Sequence, residues 1–123
     1  MAQKRTVDGD RLVITDENGA AMLSIQETLE EPAVTLKLTG SITMNLAHDF
    51  EDELTSVTTV CNRVIIDFSN VDSISSAGLK TLLSVQQILD KRTNSMLKLR
   101  SLSIPVRKTF QDMGFAELFD IEN

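Results

Sequence analysis

Apolar residues recur along this chain with two different periods. From Arg11 to Leu38 they return every second residue, as in half-buried strands; from Leu46 onward they return every third or fourth over two long stretches, as in amphipathic helices. Arg11–Thr15 (RLVIT) is a short β-rich run, followed by Asp16-Glu17-Asn18-Gly19, where Asn-Gly is a strong turn signal. Ala21–Leu29 puts Leu23 and Ile25 on one face before Glu30-Glu31-Pro32 interrupts it. Ala33–Leu38 alternates with Val34, Leu36 and Leu38 on one face, and Gly40 is read as its end. From Asn45 the spacing Leu46, Phe50, Leu54, Val57 defines one helix face, with Asp49, Glu51, Asp52 and Glu53 opposite.

Arg63–Phe68 (RVIIDF) is β-branched at Val64, Ile65 and Ile66, too short for a helix, and reads as a buried strand. Ser76–Lys91 is a second helix with Leu79, Leu82, Leu83 and Leu89 inward, and Ser95–Leu102 a further strand. Pro105 suits a helix first turn, Val106, Phe110 and Met113 continue that helix, and Gly114 ends it. Phe115, Leu118, Phe119 and Ile121 form an apolar tail expected to dock on the core. The order β β β α β α β α, with strands and helices alternating, predicts an α/β domain with a mixed sheet and right-handed crossovers around Asn45–Val57 and Ser76–Lys91. Met1–Asp10 is polar and is expected to be loosely held.

The length of 123 residues fits one domain, and 41% hydrophobic with 24% charged residues is ordinary for a folded one. The net charge of −6 argues against nucleic acid and against an anionic membrane surface, both of which select clustered Lys and Arg. A single cysteine, Cys61, rules out an internal disulfide. No apolar run is long enough for a membrane span, and Lys4-Arg5 is not followed by a signal-type apolar stretch. The expectation is a soluble, cytoplasmic protein.

Catalytic constellations are absent from the pattern. His48 is the only histidine and falls among helix-face acids; Cys61 has no ligand-spaced companions; no Gly-rich phosphate loop is present. No enzyme activity, cofactor or metal is expected. One segment stands out: Asp67–Leu79 (DFSNVDSISSAGL) joins a strand to a helix through a serine-rich turn. Ser75 or Ser76 suits the helix N-cap, and a phosphate placed on either would meet free N–H groups and the positive end of the helix dipole. Ala77 and Gly78 leave little bulk beside the hydroxyl.

At this segment the sequence resembles the STAS domain, the family that includes bacterial anti-sigma-factor antagonists. Arg63–Asn70 (RVIIDFSN) and Val71–Leu79 (VDSISSAGL) carry the resemblance, with Leu36–Ile42 upstream and Met113-Gly114-Phe115 to Leu118-Phe119 downstream. It implies a single domain with a mixed sheet of four to five strands flanked by helices, spanning 22–123, and an N-terminal extension, 1–21, with an extra strand. It further implies binding to a partner anti-sigma factor that is a serine kinase, abolished by phosphorylation of a helix-start serine. Aligning the Gly-Leu pair places that serine on Ser76, with Ser75 the runner-up. Ser75 stands where many members carry aspartate, and Thr43 near another such position. The implied contact surface comprises Ser73, Ser75, Ser76, Ala77 and Gly78, the loop residues Ser41, Thr43 and Asn45, and Lys80 and Gln87 on the following helix. The alternative is a constitutive interaction subunit, a role STAS-like domains also play in stress-sensing and lipid-transport assemblies; Ser76 would then be only a cap.

Overall fold

The computed structural model describes residues 4–8, 11–15, 21–30 and 33–122. Seven strands form one sheet in chain order: β1 (Lys4–Asp8), β2 (Arg11–Thr15), β3 (Ala21–Glu30), β4 (Ala33–Ile42), β5 (Arg63–Ile74), β6 (Met96–Arg100) and β7 (Asp120–Glu122). The first four pair antiparallel. From β4 to β7 the pairing is parallel. Each parallel step needs a crossover, and these carry α1 (Ala47–Val60), α2 (Ser76–Asp90) and α3 (Ile104–Asp112). The mixed sheet flanked by helices is therefore present, widened at its two edges by β1 and β7.

Burial follows one face of the sheet. Leu12 and Ile14 on β2, Leu23 and Ile25 on β3, Val34, Leu36 and Leu38 on β4, Val64, Ile66 and Phe68 on β5, and Leu97 and Leu99 on β6 are all buried. The pairings Ile25↔Leu38, Leu36↔Ile66 and Ile66↔Leu99 line them up across the strands. The helices supply the facing wall: Phe50, Leu54 and Val57 from α1, Leu79, Leu82, Val85 and Leu89 from α2, Val106 and Phe110 from α3. Phe110 makes edge-to-face contacts with Phe68 (centroids 6.4 Å) and Phe119 (5.6 Å), which tie α3 and the tail to the central strand. Each such pair contributes about 0.5–1.5 kcal/mol beyond area burial. Arg92 caps the far end of α1 by donating to the Thr58 carbonyl and to Asn62 Oδ1.

Several expectations need correction. The backbone of Lys4–Asp8 is not loose: it pairs with β2 from Lys4↔Thr15 to Asp8↔Arg11. The turn expected at Asp16–Gly19 lies outside the described residues, as do Glu31 and Pro32. Gly40 does not end β4; the strand runs on to Ile42, with register shifts on either side. Likewise β5 continues past Phe68 to Ile74, because a bulge keeps Val71 and Ile74 buried while pairing with β4 resumes at Thr39↔Asn70. RVIIDF is buried on one face only, with Ile65 and Asp67 half-exposed. Helix α1 starts at Ala47 after a 3-10 turn over Met44–Leu46. In the tail Phe119 docks, but Leu118 is 50% exposed within a 3-10 turn that points it outward.

Two glycines allow close backbone approach. Gly40 has φ +121°, and a Cβ there would lie 2.4 Å from the Met22 carbonyl oxygen on β3. A Cβ on Gly78 would lie 2.8 Å from Ile42 Cγ2 and 2.9 Å from Ile74 Cγ1. Gly40→Ala combines backbone strain with a main-chain clash and is expected to cost about 3 kcal/mol or more. Gly78→Ala meets overpacking of about 1–3 kcal/mol, offset by up to about 1 kcal/mol of helix propensity. Urea unfolding should therefore show a much larger drop in midpoint for Gly40→Ala; equal drops would contradict this account.

Candidate functional site

The serine turn sits where the parallel strands β4 and β5 end. Pairing persists to Ser41↔Ser73 and Ile42↔Ile74, and the Ser75 main-chain N–H then donates to the Ile42 carbonyl at 2.7 Å. This bond joins the two strand ends just before both chains turn away. On the β4 side, Thr43 is extended, Leu46 N–H bonds the Thr43 carbonyl at 3.1 Å, and Leu46 enters the core. Thr43, Met44 and Asn45 are left exposed. On the β5 side, α2 begins at once.

The turn distinguishes its two serines. Ser75 is the N-cap of α2: its backbone is extended, and its Oγ accepts the Gly78 N–H at 3.1 Å. Its carbonyl accepts the Leu79 N–H at 3.0 Å. Ser76 is the first helical residue and is exposed. The capping bond thus engages the Ser75 hydroxyl, and Ser76 presents the outward one. No acidic residue occupies the first turn of α2, so negative charge placed there meets the dipole's positive end with no acid on the same turn. Lys80 stands one turn further along and is exposed.

The structure brings most of the predicted surface together. Ser73, Ser76, Thr43, Asn45, Lys80 and Gln87 are exposed, while Ser41, Ser75 and Ala77 are half-buried. Gly78 lies beneath this surface, buried against Ile42 and Ile74; its glycine character serves packing. An open groove of about 300 Å³ between α1 and α2 adjoins the turn, lined by Ala47, His48, Glu51, Ala77, Lys80, Thr81 and Ser84. Thr81 is buried there, its Oγ1 donating to the Ala77 carbonyl at 3.2 Å. His48 is a rim residue, its side chain 82% exposed and Nε2 3.4 Å from Asp52 Oδ2. Cys61 is half-buried at the opposite end of α1, its Sγ 3.2 Å from the Arg63 carbonyl.

Sequence reasoning missed Met44, which is 72% exposed beside the turn. The signal was present: a large apolar residue between Thr43 and Asn45, outside both the strand alternation and the helix spacing. It also missed the groove, which depends on how α1 and α2 pack. Among the described residues, no helix is long and apolar enough to cross a membrane.

The family model described as "Mlab, STAS domain" matches residues 23–120. The chain belongs to the STAS family. BtrV of Bordetella bronchiseptica, provisionally named an anti-sigma factor antagonist, is 38% identical over 61 residues, covering 50% of this chain and 52% of BtrV. The chain therefore matches about half the length of that relative. Among solved structures, an anti-sigma factor antagonist from Mycobacterium paratuberculosis superposes with a TM-score of 0.74 at 17% identity, covering 88% of this chain and 89% of that one. SpoIIAA superposes in its unphosphorylated form (TM-score 0.66, 19% identity, 80% and 88% covered). The phosphorylated form, from Bacillus, does so with a TM-score of 0.60 at 16% identity, covering 80% and 91%. These likenesses show the STAS fold, with the family match lying within residues 23–120.

The different engagement of the two hydroxyls can be measured. Ser75→Ala removes the cap of α2 and is expected to cost about 1 kcal/mol. Ser76→Ala removes an outward hydroxyl and should stay within about 0.5 kcal/mol of the parent. Chemical denaturation of both variants checks the order; a larger loss for Ser76→Ala would assign the cap to the wrong serine.

Proposed function

We propose that this chain is a non-enzymatic anti-sigma-factor antagonist of the cytoplasm. Its dephosphorylated serine turn docks on an anti-sigma factor that is also a serine kinase, and phosphorylation of Ser76 ends the binding. The observation that carries this reading is the exposed Ser76 hydroxyl at the first position of α2, beside a Ser75 hydroxyl already engaged as cap. The names of BtrV, the mycobacterial protein and SpoIIAA support the antagonist role, and a phosphorylated form is named for SpoIIAA. Residues 1–21 are read as an extension of the STAS unit.

Physical chemistry supports a switch by charge. A phosphate adds about −1.5 to −2 charges at neutral pH. At the start of α2, with no acid in the first turn and Lys80 at i+4, the helix tolerates that charge. An interface packed around a neutral turn does not: disrupting buried polar and charged contacts costs about 2–5 kcal/mol, or roughly thirtyfold and upward in affinity. The contact surface on this reading is Ser73, Ser75, Ser76 and Ala77 with Ser41, Thr43 and Asn45 and, further along α2, Lys80. Gly78 supports it from below.

A second reading is a constitutive STAS interaction subunit. The presence of Ser75 and Thr43 where many family members carry acids favours it. Two measurements separate the readings. Mass spectrometry on protein from its native cells, sampled across growth states, is expected to find a single phosphate on Ser76 whose occupancy varies. Ser76→Asp is expected to weaken co-purification of the kinase-type partner at least thirtyfold, with Ser76→Ala retaining it. No phosphate in any state, with both variants behaving like the parent, would leave the constitutive reading.

A further inference from the structure

Among the described residues, no helix covers the second face of the sheet. On the parallel half it carries Thr35 and Lys37 from β4, Ile65 and Asp67 from β5, Lys98 and Arg100 from β6, and Asp120 and Glu122 from β7, all exposed or half-exposed. Parallel sheets are ordinarily covered on both faces, so an open parallel face invites a second layer. Its charges say which layer fits. The register aligns Lys37 with Asp67, Asp67 with Arg100, and Arg100 with Glu122. One row across four strands therefore reads plus, minus, plus, minus.

Such a row is its own complement. Rotation by 180° about an axis parallel to the strands, between Asp67 and Arg100, sets Lys37 opposite Glu122 of a second copy and Asp67 opposite its Arg100. The neighbouring row, Thr35, Ile65, Lys98, Asp120, is compatible under the same axis. Thr35 faces an aspartate, and Ile65 faces the aliphatic stem of a lysine. Within one chain, Lys98 Nζ already lies 3.6 Å from Glu122 Oε2, and Asp67 Oδ1 accepts the Ser69 N–H at 2.8 Å. Each carboxylate keeps a second oxygen for the partner.

We infer that this open face is a homodimer interface, two sheets packed face to face about that axis. Four strands and a few rows cover an area on the order of 300 Å² per copy, well below the roughly 800 Å² of a standard stable interface. The dimer is accordingly weak, and sensitive to salt because its contacts are ionic. It lies on the side of the sheet away from α2 and does not occupy the serine turn.

Sedimentation equilibrium of the full chain up to about 1 mM, at about 50 and 500 mM salt, tests this. Concentration-dependent dimerisation at low salt that weakens at least tenfold at high salt is expected. Lys37→Glu alone, or Glu122→Lys alone, should weaken it at least tenfold, since each sets like charges across the axis twice. The double exchange Lys37→Glu with Glu122→Lys should restore association to within about threefold of the parent, since 1.4 kcal/mol corresponds to tenfold. That same double variant puts like charges beside each other within one sheet, next to Asp67 and Arg100. Recovery of dimerisation thus reports contacts between copies and not the in-plane row. A parent that stays monomeric at low salt, single variants that dimerise normally, or a double variant that does not recover would each overturn the inference. Circular dichroism confirms that the variants, altered at exposed positions, are folded.

Discussion

The hydrogen bond from the Ser75 main-chain N–H to the Ile42 carbonyl, 2.7 Å long, is what makes one surface of two separate loops. It closes the β4–β5 ladder at its last possible rung, after Ser41↔Ser73 and Ile42↔Ile74. Both segments then leave the sheet, each into a helix on the same face, from a common fixed point. One drops Leu46 into the core, the other Leu79, and both are fully buried. Gly78 lets α2 descend directly onto Ile42 and Ile74, with no room for a side chain between them. The serine turn is therefore held from below by packing and from the side by main-chain bonding. A chemical change to its outward groups would not require the scaffold to move.

Some of this was legible in the sequence because it depends on neighbours along the chain. The spacing Leu46, Phe50, Leu54, Val57 defined the buried face of α1, and all four are buried. The helical spacing from Leu79 to Leu89 did the same for α2, with Leu83 half-buried and Val85 an added core residue. What depends on distant partners was not legible. Gly40 looked like a strand end because glycine weakens strands, yet here it lets β4 pass close to Met22 on β3. The serines of the VDSISS run looked like loop, yet the bulge in β5 keeps Val71 and Ile74 inward. Lys4–Asp8 carries little apolar signal and is ordered through pairing with β2. Whether Ser75 or Ser76 caps α2 could not be decided from two adjacent hydroxyls; the bond to Gly78 N decides it.

One-sided burial shapes the rest of the sequence. Because the helices cover one face, the strands must alternate even in the parallel half, where continuous apolar runs are usual. The strand RVIIDF hides this, since Ile65 is apolar and half-exposed. Its neighbours in register, Thr35 and Lys98, show that the position faces outward. The polar face keeps hydrophobic surface small, and the alternation of sign along Lys37, Asp67, Arg100 and Glu122 opposes slippage. A shift of the outer strands by one residue would replace charges by core residues.

The outermost parallel strand, β7, follows β6 in the chain and so is synthesised after it. It pairs Ile121 with Leu99 of β6 and is anchored by Phe119 against Phe110. Until Asp120–Glu122 have been made, β6 remains an unprotected sheet edge while the older strands are already free to pair. At ordinary rates of translation that interval is on the order of a second or more. During it a nascent chain exposes the kind of edge that recruits another strand. The charges Lys98 and Arg100 on β6 then discourage a neighbouring nascent chain from taking the place that β7 will fill.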